Sequence, residues 1–166
     1  MCETILMPLG GSHRAVRVIP HVEALARRFD VNVVLLRVLE PSCTVGFEPC
    51  REILGEPKKM EEEMERYLAL WQGTFREKVV AARKVILWGP VVRSILDVAD
   101  KEHADLIAMG SHGRTGLPLV FYGSVAADVL HRADRPLFAH PRHRLRPRRL
   151  AWPARAPATQ GASLTR

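Results

Sequence analysis

The run from Val31 to Leu39, VNVVLLRVL, narrows most sharply what this chain can fold into. Successive side chains of a strand point to opposite faces, so a run without polar alternation needs cover on both faces. Strands of that kind belong to parallel sheets, whose neighbours are joined by crossovers that are usually helical. Four shorter stretches read the same way: Thr4 to Met7, ending at Pro8; Lys84 to Trp88, ended by Gly89-Pro90; Asp105 to Met109, ended by Gly110; and Pro136 to Ala139.

Helical periodicity fills the intervals. Ser12 suits an N-cap, and Val18, Val22, Leu25 and Phe29 then recur at helical spacing, with Pro20 expected to kink this helix or open a new first turn. From Lys58 to Ala82, an apolar stripe runs through Met60, Met64, Tyr67, Leu68, Trp71, Phe75 and Val79, opposite a charged, solvated face. Pro90 is placed to start a third helix over VVRSILDVADKEHA, and Gly123 to Ala133 reads as a fourth. The stretch 40 to 57, with three prolines, reads as a loop. Alternation of this kind predicts a doubly wound α/β fold: a five-stranded parallel sheet, Rossmann-like, with helices on both faces.

Charge divides the chain. The 25 Lys and Arg exceed the 18 Asp and Glu by 7, and the whole excess lies in Pro141 to Arg166, which holds seven arginines and no acid. Residues 1–140 are therefore expected to form one neutral domain, and 141–166 a basic, disordered tail too poor in apolar residues to fold alone. Such a tail could neutralise nucleic-acid phosphates or an acidic surface, although merely solvated basic tails are common. No apolar run approaches the roughly 18 residues of a membrane span, and Met1 to Pro8 has no signal-peptide pattern, so the expected location is the cytoplasm. Cys2, Cys43 and Cys50 lack metal-ligand spacing and read as free thiols.

Ligands of open parallel sheets bind outside the carboxyl ends of the strands, where the strand order reverses. The most informative loop there is Gly110-Ser111-His112-Gly113-Arg114-Thr115-Gly116, running on to Gly123-Ser124. Glycines 110 and 113 permit close backbone approach, and a helix opening at Gly123-Ser124 offers free N–H groups to an anion. Arg114 could neutralise a phosphate or face water. The adjacent Ser111 and His112 have no third group placed to orient them, and no catalytic base or metal cluster is apparent. Neither G-x-x-x-x-G-K-[ST] nor an early G-x-G-x-x-G is present, which disfavours a P-loop NTPase and a dinucleotide-dependent dehydrogenase.

The pattern G-x-x-G, nine residues, then G-S, together with ILMP, VVLLRVLEP, VILWGPVVRSILDVADKEHADLIAMGSHGRTG and YGSVAADVLHRADRPLFAHP, resembles the universal stress protein family. The resemblance implies ATP, with Mg2+, as ligand. It assigns Met109, Gly110, Gly113, Gly123, Ser124 and Val125 to phosphates and ribose, Val38 to adenine, and Pro8, Leu9 and Gly10 to the first-strand loop. Nucleotide-binding members carry Asp where Gly10 stands, and losing that acceptor weakens binding by up to about two powers of ten. The resemblance also implies a homodimer through the last strand, and a stress-response sensor or regulator with at most slow ATP hydrolysis.

Two rival readings remain at this level. One is a nucleotide-free interaction protein of the same family, which keeps the glycine loop only as geometry. The other is an ATP-adenylating enzyme on a related fold, because Gly10-Gly11-Ser12 is similar to part of an S-G-G-x-D-S loop; Leu9 and His13-Arg14 depart from that pattern.

Overall fold

The computed structural model describes residues 2–11, 15–40, 57–110 and 124–140. Five strands form one parallel sheet: β1 (Thr4–Pro8), β2 (Asn32–Leu39), β3 (Ala82–Trp88), β4 (Leu106–Gly110) and β5 (Leu137–His140). Their spatial order is β3-β2-β1-β4-β5. Helices α1 (Ile19–Phe29), α2 (Pro57–Glu77), α3 (Val91–Lys101) and α4 (Ser124–Arg132) lie between them, and the Rossmann-like α/β architecture expected from the sequence is observed.

Strand parity builds two cores. Ile5, Met7, Leu9, Val33 and Leu35 face one side, where Val18, Val22 and Ala26 of the α1 region and Leu68 and Phe75 of α2 cover them. Leu6, Val34, Leu36, Ile107 and Met109 face the other, under Ile95, Val98 and Ala99 of α3 and Ala126 and Val129 of α4. The continuous apolar run of β2 is thus divided residue by residue between the two layers. Burying a large side chain such as Phe75 contributes about 1.5–3 kcal/mol.

Several boundaries differ from the sequence reading. Ala15–Val18 form a 3-10 turn and the α-helix begins at Ile19, so Pro20 marks a new first turn and kinks nothing. Ser12 lies outside the described residues. Phe29 has apolar spacing but sits on the last turn and is 64% exposed. Helix α2 starts at Pro57 and stops at Glu77, five residues before the expected Ala82, and Val79 is 93% exposed with φ +60°. The reason is a closing turn: Val80 N–H donates to Phe75 O and Val79 N–H to Arg76 O, folding buried Val80 back onto Phe75. Strand β3 accordingly begins at Ala82, two residues before the expected Lys84.

The same closure ends α3, where Ala104 N–H donates to Ala99 O and His103 stands at φ +47°. That helix stops at Lys101, short of Ala104. On α1, Val31 N–H donates to Ala26 O beyond Asp30 at φ +54°. These three returns therefore enter their strands through left-handed residues that are not glycine.

Edge strand β3 is guarded by α2. Gln72 Nε2 donates to Ala82 O at 2.7 Å, Lys84 pairs with Glu65, and the Trp88 indole N–H donates to Glu61. These polar ties and the charges of Arg83 and Lys84 make the edge a poor template for another strand. Among the described residues, no helix is long and apolar enough to cross a membrane.

Candidate functional site

The chain steps outward from β1 to β2 and β3, then returns to the opposite side of β1 to lay down β4 and β5. The order therefore reverses between β1 and β4, where the connections leave in opposite directions and open a crevice at the carboxyl ends. Pro8, Leu9 and Gly10 leave β1 there, while Met109 and Gly110 end β4.

The β1 exit is held firmly. Leu9 N–H donates to Leu36 O at 2.8 Å, its side chain is 2% exposed, and its carbonyl accepts from Arg37 Nη1 at 3.0 Å. Arg37 is the one cation within the apolar β2 run, and that oddity was the signal available in the sequence for this role. Its guanidinium also sets the shape of the next turn. Gly11 has φ +70°, and a Cβ there would lie 3.3 Å from Arg37 Nη1. Gly10 is exposed, and a Cβ on it would meet nothing within 4 Å.

Val38 reaches the same end of the sheet from β2, paired with Leu87 and half-buried against the α3–α4 layer. Met109 is buried in that layer, and Gly110 pairs with His140 of β5. Ser124 opens α4 with its side chain exposed, followed by half-buried Val125 and buried Ala126. Pro8, Leu9, Gly10, Val38, Met109, Gly110, Ser124 and Val125 thus stand at the ends of β1, β2 and β4 and at the start of α4. Gly113, Arg114 and Gly123 lie outside the described residues, as do Ser111, His112, Cys43 and Cys50.

Two helix N-termini near this end differ electrostatically. At α3, the Glu40 carboxylate accepts from Val91 N–H at 3.4 Å, placing a negative charge against the positive end of the helix dipole. The first turn of α4 has no acid, and His131 and Arg132 sit in its last turn, where cations suit the dipole. Glu40 caps the neighbouring helix across the sheet, a relation that only the folded chain creates. Gly89, just before α3, has φ +154° and would bring a Cβ to 3.0 Å from Ser94 Oγ, so that turn is built for glycine.

On the opposite layer, His21 of α1 lies against His140, with ring centroids 4.9 Å apart. Burial pushes the His140 imidazole below its ordinary pKa, and the charges of His21 and Arg17 push in the same direction. Neither histidine was singled out from the sequence, because nothing local connects them. Among the described residues, no group of three His, Cys, Asp or Glu is disposed to hold a metal ion.

The arrangement offers backbone N–H groups, glycine-sized clearances and an acid-free helix start, which together suit an anionic ligand better than covalent catalysis. Comparison with known proteins gives it a lineage. The Universal stress protein family matches residues 1–140. A universal stress protein of Methanocaldococcus jannaschii is 32% identical over 135 residues, covering 80% of this chain and 78% of its own. The solved structure of another protein of that organism superposes with a TM-score of 0.73 at 27% identity, covering 87% of this chain and 99% of that one. A universal stress protein from Archaeoglobus fulgidus, solved in complex with dAMP, shares the fold at a TM-score of 0.60 and 21% identity, covering 84% of this chain and 97% of that one. By sequence match over its folded body and by architecture, this chain belongs to the universal stress protein family.

Proposed function

We propose that the protein binds an adenine nucleotide, ATP with Mg2+, in the crevice between β1 and β4, and acts as a nucleotide-dependent regulator in stress responses. The observation that carries this reading is the presence of Gly10 just past β1 and of Gly110 at the end of β4, the adjacent strands at the point of reversal. Ligands of open α/β sheets gather at that point. The Archaeoglobus relative with dAMP adds support from outside the chain.

In this reading, Met109, Gly110, Gly113, Arg114, Gly123, Ser124 and Val125 hold phosphates and ribose. Val38 borders the adenine, and Pro8, Leu9 and Gly10 close the far wall. Binding, with slow hydrolysis at most, is the task. The protein works in the cytoplasm as a homodimer through β5, which among the described residues pairs with β4 alone.

A second reading rests on one observation. Gly10 supplies no carboxylate to a nucleoside, so a nucleotide-free interaction protein is the alternative. Calorimetry of the full chain with ATP, ADP and AMP at millimolar concentration, with magnesium, separates the two. Saturable heat upholds the nucleotide reading, and its absence with all three overturns it.

A further inference from the structure

Two imidazoles meet at the carboxyl end of β5, and Arg17 lies on the 3-10 turn that packs across β4 and β5 beside them. Phe138 and His140 alternate in the strand and so share a face, and Phe138 packs on the core layer that holds α1. His21 comes from the first turn of α1, its ring 4.9 Å from that of His140 and tilted by 34°. It also meets Phe138 edge-on at 5.8 Å. Arg17 comes from the 3-10 turn, which packs across β4 and β5, and its charge is felt at His140.

These three side chains meet no counter-charge among the described residues. Among the described residues, no carboxylate forms an ion pair with Arg17, His21 or His140. The first turns of the 3-10 segment and of α1 hold no acid. Glu23, the acid next along α1, is engaged with Arg27 and Lys78. From β4, the neighbour of His140 is Gly110, which brings no titratable group. A metal cation is a poor guest, because Arg17 repels it and no third ligand joins the two imidazoles among the described residues.

We propose that Arg17, His21 and His140 form a proton-linked binding site for a phosphate-class dianion. The guanidinium supplies paired N–H donors, and each protonated imidazole adds a charged donor. The Phe138 ring and the α1 layer hold the two imidazoles in place, so the donors are arranged before the ligand arrives. A dianion favours the protonated imidazoles, so binding takes up protons and tightens as the pH falls. The dianion is either a free ion or the phosphate chain of a nucleotide. The site does not depend on the nucleotide reading, since an inorganic anion tests it alone.

Sulfate is a suitable probe, because its charge stays fixed across the range and any pH dependence then belongs to the protein. Sulfate and, separately, pyrophosphate are titrated into the full chain at pH 7.5 and 5.5, with calorimetry and the histidine Cε1–H resonances as readouts. The expected result is movement of both His21 and His140 resonances, with sulfate affinity rising about tenfold per pH unit for each proton taken up. Arg17→Gln and His140→Gln should each weaken binding at least tenfold, while Arg28→Gln, at the far end of α1, leaves it unchanged. Arg17 is exposed, so its variant keeps the test valid even where His140→Gln disturbs folding.

ATP that moves the two resonances, while adenosine does not, assigns the dianion to a nucleotide phosphate. Movement with inorganic anions alone assigns it to a free ion. Resonances unmoved by sulfate and pyrophosphate, pH-independent sulfate affinity, or undiminished binding by Arg17→Gln overturns the site. ATP binding that leaves both histidines still, with sulfate also inert, overturns this site and upholds the nucleotide crevice.

Discussion

Arg135 donates from Nη1 to the carbonyl oxygen of Ala99 at 2.7 Å, closing from a distant loop the end of a helix it does not belong to. The same nitrogen reaches Ala104 O at 3.0 Å, Nη2 pairs with Asp100, and Nε donates to Asp134 at 2.7 Å. Ala99 O already accepts from Ala104 N–H, and the Arg135 side chain, 16% exposed, adds a second donor to it and ties in the Ala104 carbonyl beyond the helix end. Its pKa is held above the ordinary arginine value, chiefly by the Asp134 hydrogen bond. Arg135→Met, which keeps bulk but removes every donor, should cost about 2 kcal/mol. Urea unfolding should show a lower midpoint at unchanged slope. A loss below about 0.5 kcal/mol would mean that water replaces the guanidinium without penalty.

A second long-range tie gives a pH dependence. Asp105 Oδ2 accepts from Glu3 N–H at 2.7 Å and Thr4 N–H at 3.0 Å, pinning the start of β1 against β4. The Glu3 and then the Thr4 N–H bonds favour the ionised form and hold the carboxyl below the ordinary aspartate range. With the folded pKa depressed, the stabilisation is complete above the unfolded value and disappears as pH falls through the folded one. Stability of the wild type should therefore decline below about pH 4 through this group. Asp105→Asn should be less stable at pH 7 and should have a shallower decline between pH 4 and 2. Parallel curves for the two proteins would remove Asp105 from the acid limb.

The three helix ends that close through left-handed residues rank themselves by chemistry. Asp30 and His103 are among the residues that tolerate this region, whereas a β-branched side chain such as Val79 is strained there. At 93% exposure, Val79 gains nothing from burial in return. Val79→Gly should stabilise the protein by about 1 kcal/mol, and Asp30→Gly should change it by only a few tenths. Thermal unfolding of both variants tests the ranking, and an unstable Val79→Gly would show that the valine contributes something other than strain.

That valine also marks where reading the sequence stops. Its apolar side chain continues the α2 stripe at perfect spacing, yet the helix ends two residues earlier because Val80 must fold back onto Phe75. Periodicity records which side chains could share a face, and it carries no information about a backbone reversal made without glycine. The strands were legible because burial on both faces leaves a local mark on composition, as in VVLLRVL. The loops beginning at residues 8 and 110 could be named because the end of an apolar run in a parallel sheet is itself a site rule, whereas Pro8, Gly10, Met109 and Gly110 were singled out one by one only through the family resemblance. Arg135 over Ala99, Glu40 on α3, and His21 against His140 are pairings between distant segments, visible only once the strand order is fixed.

Adjacent glycines at the β1 exit yield the most direct test of the crevice. Gly11, with φ +70° and Arg37 Nη1 at 3.3 Å from any added Cβ, has both backbone and space reasons to remain glycine. Gly10 has neither: nothing stands within 4 Å, and its φ lies outside the left-handed range. An aspartate, the residue that the family resemblance implies at this position, therefore fits Gly10 without rearranging the loop clamped by Arg37. Gly10→Asp should leave the fold intact and tighten adenosine-nucleotide binding by about ten- to a hundredfold, the effect of one added hydrogen bond to a charged acceptor. Gly11→Asp should instead destabilise the loop and weaken binding. Calorimetry on both variants decides the matter: if Gly10→Asp folds normally and binds ATP no better than the wild type, the nucleoside does not lie against the end of β1.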